Sequence, residues 1–116
     1  MSRQKIQIEF QEKLVLTAVS VADSFWMRLS GYMFRKQPHV AGILFESSGG
    51  IQTSFMNFEL DVVFLTKTNV VIKLRRNVKP WRMVFAARKS KKVLEVPAGY
   101  LSPDLKVGDV LQITPV

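Results

Sequence analysis

The sequence contains no cysteine and a single histidine, His39. Without cysteine the chain forms no disulfide, no thiolate zinc site and no iron–sulfur cluster, and it has no thiol nucleophile. A transition-metal site would have to take nearly all its ligands from carboxylates, which suit magnesium or calcium better than zinc. We therefore expect no metal site and no cofactor.

Long apolar runs are also absent. No segment approaches the roughly 18 consecutive apolar residues that a membrane-spanning helix needs, and residues 1–10 lack the apolar run of a signal peptide. A chain of 116 residues, 47% hydrophobic and 22% charged, has the composition of one globular domain. We expect a single cytoplasmic domain over residues 1–116 and assign no oligomeric state.

Acidic residues are missing from one third of the chain. Residues 66–92, the basic segment, contain ten lysines and arginines and no acid, whereas the rest of the chain has seven basic and nine acidic residues. The positive excess of the protein, +8 in total, is therefore confined to this segment. Such segregation favours an anionic partner, either nucleic acid or an acidic protein or polymer. The alternative interpretation is a solvated basic surface that keeps the protein soluble.

Short runs of β-branched and apolar residues separated by turn residues predict about seven strands. They fall at residues 6–9, 14–21, 42–46, 62–65, 70–74, 93–96 and 110–113. One short helix is predicted over residues 25–30, capped by Asp23 or Ser24. We predict a mostly β (α+β) domain, a small barrel-like antiparallel or mixed sheet with one short helix, closed or half-closed to protect its edges.

Residues 54–65 contain the main candidate site, because an aromatic-rich loop there becomes a strand at Asp61. A carboxylate that opens an apolar strand must be hydrogen-bonded, paired with a cation or protonated. Asp61 therefore either holds the turn of residues 55–58 in place or serves as an acid, base or cation ligand in a pocket. The ligand-binding candidates are Phe55, Met56, Asn57, Glu59 and Asp61.

A second set of candidates lies in the basic segment. Lys73 and Arg75 fall on the polar face of a predicted strand, and Trp81-Arg82 follows Pro80 in a predicted loop at residues 76–82. An aromatic ring beside a cation suits stacking combined with a phosphate or carboxylate contact, although a tryptophan packed in a small core is an equal alternative. The candidates for an anionic partner are Lys73, Arg75, Arg76, Trp81 and Arg82.

Catalytic motifs are not found. The chain has no Gly-x-Ser-x-Gly sequence, and its one histidine, His39, lies in no catalytic sequence motif. We therefore expect a small non-catalytic binding module whose basic segment meets an anionic partner. The alternative hypothesis is a small enzyme or ligand-binding protein with a pocket beside Asp61.

Four blocks of the sequence resemble one family over about residues 15–114. They are residues 25–35 (FWMRLSGYMFR), 42–45 (GILF), 54–65 (SFMNFELDVVFL), and 93–99 (VLEVPAG) with 107–109 (VGD). The chain resembles the bacterial and archaeal family called domain of unknown function 192. The resemblance implies a small β-rich, barrel-like fold with little helix, and it implies no activity.

The hallmark of that family is a run that begins Phe-Met-(Lys/Arg)-(Asn/Phe) and ends (Ile/Leu)-Asp. Phe55, Met56, Phe58, Leu60 and Asp61 match it, whereas Asn57 stands where many relatives have a basic residue. A cationic role at that position is therefore not expected here. Many relatives are exported behind a signal sequence, which this sequence does not show.

Overall fold

The computed structural model describes residues 5–10, 13–22, 32–38 and 40–115. Within these ranges the chain forms nine strands and no helix. The strands are β1 (Lys5–Phe10), β2 (Lys13–Ala22), β3 (Gly42–Phe45), β4 (Ile51–Gln52), β5 (Leu60–Leu65), β6 (Val71–Val78), β7 (Met83–Val84), β8 (Lys92–Pro97) and β9 (Gln112–Pro115). The predicted mostly β class is confirmed, and the helix predicted at residues 25–30 lies outside the described residues.

Seven of these strands form one mixed sheet in the order β6-β5-β8-β3-β2-β1-β9. The neighbours are antiparallel except for β2 and β3, which run parallel. β4 and β7 form a separate two-stranded antiparallel ribbon. Glycine is required at Gly50, immediately before β4, because a Cβ atom there would collide with the carbonyl oxygen of Val84.

All six residues of β5 are buried. It pairs with β6 on one side and β8 on the other, so its backbone groups are satisfied within the sheet. Both faces of this strand are therefore covered. The continuous apolar run after Asp61 is typical of such a strand.

Two apolar clusters lie on opposite faces of the sheet, as the alternation along β3, β5 and β8 requires. The lower core contains Ile6, Ile8, Phe10, Val19, Leu44, Val63, Leu65, Val71, Leu94, Val96, Leu101, Leu105 and Leu111. The upper core contains Tyr32, Ile43, Phe45, Met56, Leu60, Val62, Phe64, Val78, Val84 and Val93. The β4–β7 ribbon and the loop before β5 thus cover the upper face, and residues 101–111 cover the lower one.

The sheet curls but does not close into a barrel. Its two outermost strands, β6 and β9, approach each other only where residues 69–71 meet residues 108–111. One bridge joins Val70 to Val110 there, and the amide of Val71 donates to the Asp109 carbonyl oxygen at 2.8 Å. The barrel-like arrangement predicted from the sequence is therefore not formed as a continuous ladder between these strands.

β6 is longer than the sequence predicted, because it includes a β-bulge. Leu60 pairs with Val78 and Val62 with Arg75, so β6 has one more residue than β5 in this interval. Asn77 takes up the extra residue with a positive φ of 57°. Residues 76–78, predicted as part of a loop over residues 76–82, are therefore strand.

The remaining differences concern short or shifted strands. Residues 110–113 were predicted as the last strand, and the observed β9 begins two residues later, at Gln112. Met83–Val84 forms the two-residue strand β7, which is absent from the predicted strands. Among the described residues, none belongs to a helix long and apolar enough to cross a membrane.

Candidate functional site

The loop before β5 is tied to the loop before β7 by one buried threonine. Thr53 is fully buried, and its hydroxyl donates to the Lys79 carbonyl oxygen at 2.7 Å and accepts from the Arg82 amide at 2.8 Å. Its backbone amide donates to the Arg82 carbonyl oxygen at 2.9 Å, and its carbonyl oxygen accepts from the Trp81 amide at 3.1 Å. These four bonds fix the position of Trp81 relative to the loop that carries Phe55.

Three exposed aromatic side chains meet at this junction, and we call them the aromatic patch: Phe34, Phe55 and Trp81. Their exposed fractions are 69%, 48% and 60%. The Phe55 ring centroid lies 4.9 Å from that of Phe34 and 4.7 Å from that of Trp81. The amide of Phe34 donates to the Phe55 carbonyl oxygen at 2.9 Å. Segments that are distant in the sequence thus present one continuous aromatic surface to solvent.

The backbone of the patch is unusual. Phe34, Phe55 and Trp81 each have a φ of 63°, in the left-handed region that glycine and asparagine favour. An aromatic residue in this region costs roughly 1–3 kcal/mol and is retained only where the surrounding structure enforces it. Such outliers cluster at binding and active sites, which makes the patch a candidate functional site.

Cationic residues flank the patch on both sides. Lys79 and Arg82 lie in the same loop as Trp81, and Arg35 and Lys36 follow Phe34 directly; all four are exposed. The amide group of Asn57 donates to the Arg35 carbonyl oxygen at 2.8 Å and so holds that loop beside Phe55. The exposed apolar surface continues along the chain through Met83 and Phe85, which are 60% and 71% exposed.

The basic segment divides into cations used inside the fold and cations that face solvent. Lys73 donates to the Phe85 carbonyl oxygen at 2.6 Å, and Lys92 donates to the Asn69 side chain at 2.7 Å. Arg76 donates to the carbonyl oxygens of Ser102 and Leu105 at 2.7 and 3.1 Å. The remaining seven are exposed: Lys67, Arg75, Lys79, Arg82, Arg88, Lys89 and Lys91.

A second concentration of positive charge lies where the two ends of the basic segment meet. Lys67, Lys91 and Lys92 line an open depression of about 400 Å³ together with Glu46. Lys91 is held there because its amide donates to the Leu65 carbonyl oxygen at 2.8 Å. The depression is shallow and lined by charged side chains. The positive charge of its three lysines would add to the electrostatic potential around the basic segment.

Asp61 is buried, and both of its carboxylate oxygens contact residues of β6. It is 2% exposed, and one carboxylate oxygen accepts the Asn77 amide at 2.9 Å, while the other lies 3.8 Å from the Arg76 guanidinium. The carboxylate thus holds the bulge of β6 rather than the turn of residues 55–58, where the sequence placed its partners. Arg76, predicted to face an anionic partner, forms this contact and anchors the loop of residues 102–105.

A second buried acid, Glu95, was not singled out from the sequence. It lies on β8 at 7% exposure, opposite Ile43 and Val62, and its carboxyl group makes no hydrogen bond within the described part of the chain. Burial raises its pKa to about 8. Burial also raises the pKa of Tyr32, and the nearby carboxyl of Glu95 adds to that shift. The apolar neighbours of Glu95 in the sequence, Val-Leu-Glu-Val-Pro, were the available indication.

The other predicted site residues are separated by the fold. Met56 is buried in the upper core at 7% exposure. Glu59 is half-buried, and its backbone carbonyl oxygen accepts a hydrogen bond from the Ala98 amide. Arg75 is exposed on β6. Within the described ranges no three acidic or histidine residues come close enough to hold a metal ion. The structure therefore brings Phe55, Trp81 and Arg82 together but leaves Glu59 and Asp61 in different surroundings.

These features define a class of protein: a small β-rich protein built on one curled mixed sheet, with strained aromatic loops at its surface and two buried carboxyl groups. The chain belongs to the DUF192 family, described as Uncharacterized ACR, whose model matches residues 6–113. The resemblance inferred from the four sequence blocks is confirmed. The family description assigns no function.

Two relatives agree with this assignment, and one solved structure has a similar fold. A UPF0127 protein from Pyrococcus furiosus is 33% identical over 105 residues, which cover 86% of this chain and 90% of the relative. One from Pyrococcus abyssi is 30% identical over 99 residues, covering 81% and 84%. A crystal structure of a protein of unknown function from Novosphingobium aromaticivorans matches with a TM-score of 0.75 at 18% identity, covering 93% and 83% of the two chains. That likeness concerns the fold alone.

Proposed function

We propose that the protein is a non-catalytic binding module whose basic segment contacts an anionic macromolecule. The observation that carries this proposal is the set of seven exposed cations in a segment without any acid. Within the described residues, the one ion pair made by this segment is Arg76 with Asp61, so the exposed charges are not neutralised by the protein itself. Unpaired surface cations attract polyanions over about a Debye length.

The alternative, an enzyme or ligand-binding protein with a pocket beside Asp61, has less support. Both oxygens of Asp61 already have partners on β6, at 2.9 Å and 3.8 Å. Met56, the neighbouring candidate, packs in the upper core on the opposite face of the sheet. No contact among the described residues favours this alternative.

Retention on immobilised nucleic acid or polyphosphate at low salt tests the proposal. We expect the protein to be retained and to elute as salt rises, with the affinity falling by a slope of about 0.7–0.9 per phosphate contact in a log–log plot. Replacing Arg75 and Arg88 together by glutamine should reduce that slope. A protein that is not retained on either polyanion at low salt would refute the proposal.

A matched control removes the same charge outside the segment. Lys5→Gln with Lys106→Gln takes away two positive charges from positions that are also exposed. We expect this control to reduce the salt slope less than Arg75→Gln with Arg88→Gln. Equal losses in the two double variants would mean that net charge alone, and not the basic segment, governs retention.

A further inference from the structure

We infer that the aromatic patch is a stacking platform for unpaired bases, so that the anionic macromolecule is single-stranded nucleic acid. The inference rests on the proposed function, because it assigns the chemical class of the same partner. It depends on the patch and its flanking cations.

The first step is that the three rings are displayed rather than packed. Phe34, Phe55 and Trp81 are between 48% and 69% exposed although they contact one another. A packed cluster would bury most of their area, which is the usual way in which aromatic side chains stabilise a fold. Their contribution to the core is therefore small, and another reason is needed for three large apolar side chains at one surface site.

The second step is that the rings are fixed in position. Each backbone is held at a φ of 63°, and Thr53 bonds the Trp81 loop to the Phe55 loop through both its hydroxyl and its peptide groups. A rigid platform loses little conformational freedom when a ligand stacks on it. The geometry is thus prepared before binding.

The third step is the charge around the platform. Lys79 and Arg82 lie beside Trp81, and Arg35 and Lys36 beside Phe34, all exposed. Flat aromatic surfaces with adjacent cations recognise single strands, whose bases expose their faces while the phosphates meet the cations. A duplex hides those faces, and a second copy of this chain would bring the same positive charge, with a net charge of +8 on each copy.

Fluorescence anisotropy with a labelled oligothymidine of roughly 15 nucleotides, long enough for one site, tests the inference. A duplex of the same length and polyphosphate serve as competitors. We expect the single strand to bind more tightly than the duplex at equal salt. Trp81→Ala should weaken single-strand binding roughly 5- to 150-fold, the range expected for one stacked base, and Trp81→Phe should restore most of it.

Two controls separate stacking from folding and from charge. Tyr100→Ala removes an aromatic side chain that is 51% exposed outside the patch, and it should leave single-strand binding unchanged. Polyphosphate binding, which needs no stacking, should be the same for wild type and Trp81→Ala. Urea denaturation of Trp81→Ala, with a cooperative transition like that of wild type, shows separately that the variant is folded.

The outcomes distinguish the inference from the proposed function. If no polyanion binds wild type, the proposed function fails. If polyanions bind but single strand and duplex compete equally, or Trp81→Ala has no effect on the single strand, the platform is wrong while the basic surface stands. Binding of polyglutamate that depends on Trp81, without binding of the single strand, would assign the patch to an acidic protein instead and overturn the inference.

Discussion

Asp61 and Glu95 are buried carboxyl groups on neighbouring strands, yet their surroundings differ. Asp61 faces the lower core from β5 and is met by the Asn77 amide at 2.9 Å and the Arg76 guanidinium at 3.8 Å. Glu95 faces the upper core from β8, and no hydrogen-bond donor reaches it within the described residues. A buried carboxylate stabilises a fold only when donors or cations replace the water it has lost. The comparison therefore predicts that the two acids affect stability in opposite directions.

The largest effect is expected at Glu95 and depends on pH. Its pKa is raised to about 8 by burial. The folded state keeps the proton of Glu95 over a pH range in which the unfolded chain has lost it. The free energy of unfolding therefore falls as pH rises from about 4.5 to about 8, and above pH 8 this contribution changes no further. Glu95→Gln removes the titration, so it should be more stable than wild type at pH 8 by on the order of 4 kcal/mol, and nearly equal at pH 4.

Urea denaturation at several pH values measures this difference. Glu46→Gln is the control, since Glu46 is exposed and its replacement should not change the pH dependence. A stability difference between wild type and Glu95→Gln that stays constant from pH 4 to pH 9 would show that Glu95 does not carry the expected cost.

The next effect is expected at Asp61, with the opposite sign. Asp61→Asn loses the charge on a group that is 2% exposed and presents an amide donor where only acceptors are needed. We expect destabilisation by about 1.5–3 kcal/mol, from the loss of charge-assisted bonds. Chemical denaturation measures this loss of stability from the shift of the unfolding midpoint, and the slope of the unfolding free energy against denaturant should be the same in both proteins.

Asp104→Asn supplies the matched control, because Asp104 is exposed and should change stability by less than about 0.5 kcal/mol. A midpoint for Asp61→Asn at or above that of wild type would reverse the assignment. Asp61 would then be a functional carboxylate held at some cost to the fold.

The smallest effect is expected at Arg76 and resolves which partner of Asp61 matters. Its side chain is 31% exposed and its contact with Asp61 is 3.8 Å long, so solvent weakens that pair. Arg76→Gln should cost about 1 kcal/mol, largely through the lost bonds to the carbonyl oxygens of residues 102 and 105. A loss in denaturation experiments as large as that of Asp61→Asn would identify the guanidinium, rather than the Asn77 amide, as the principal partner.

Much of the sheet could be predicted from local patterns. β1, β2, β3, β5 and β8 each contain the apolar run or alternation that indicates a strand. β4 and β7 have only two residues each, which is too short for an apolar run or an alternation to show in the sequence. Nearby contacts of Thr53 with residues 79 and 82 join the two segments, and the sequence does not show these contacts. The sequence predicts a loop at the bulge of β6, because local patterns do not show that Asn77 is held in the strand by the carboxylate of Asp61 on β5.

The candidate site was predicted only in pieces. Phe55, Trp81 and Arg82 are each indicated separately by the sequence, but nothing in it joins residues so far apart, and no pattern marks Phe34 as a site residue. Exposure cannot be derived from residue type, so Trp81 was equally compatible with a core position. Glu95 was missed because its lack of a partner depends on the side chains that surround it on the upper face.

The pairing of β1 with β9 has a consequence for how the chain folds. These strands come from opposite ends of the sequence, and Ile6 is registered with Pro115. Loop closure over such a separation is entropically costly, and sheets dominated by contacts of this kind fold slowly. Until β9 docks, the outer edge of β1 is an open template on which another unfolded molecule could pair. The faster β1 and β9 pair, the shorter the time for which a newly made molecule exposes this edge to aggregation.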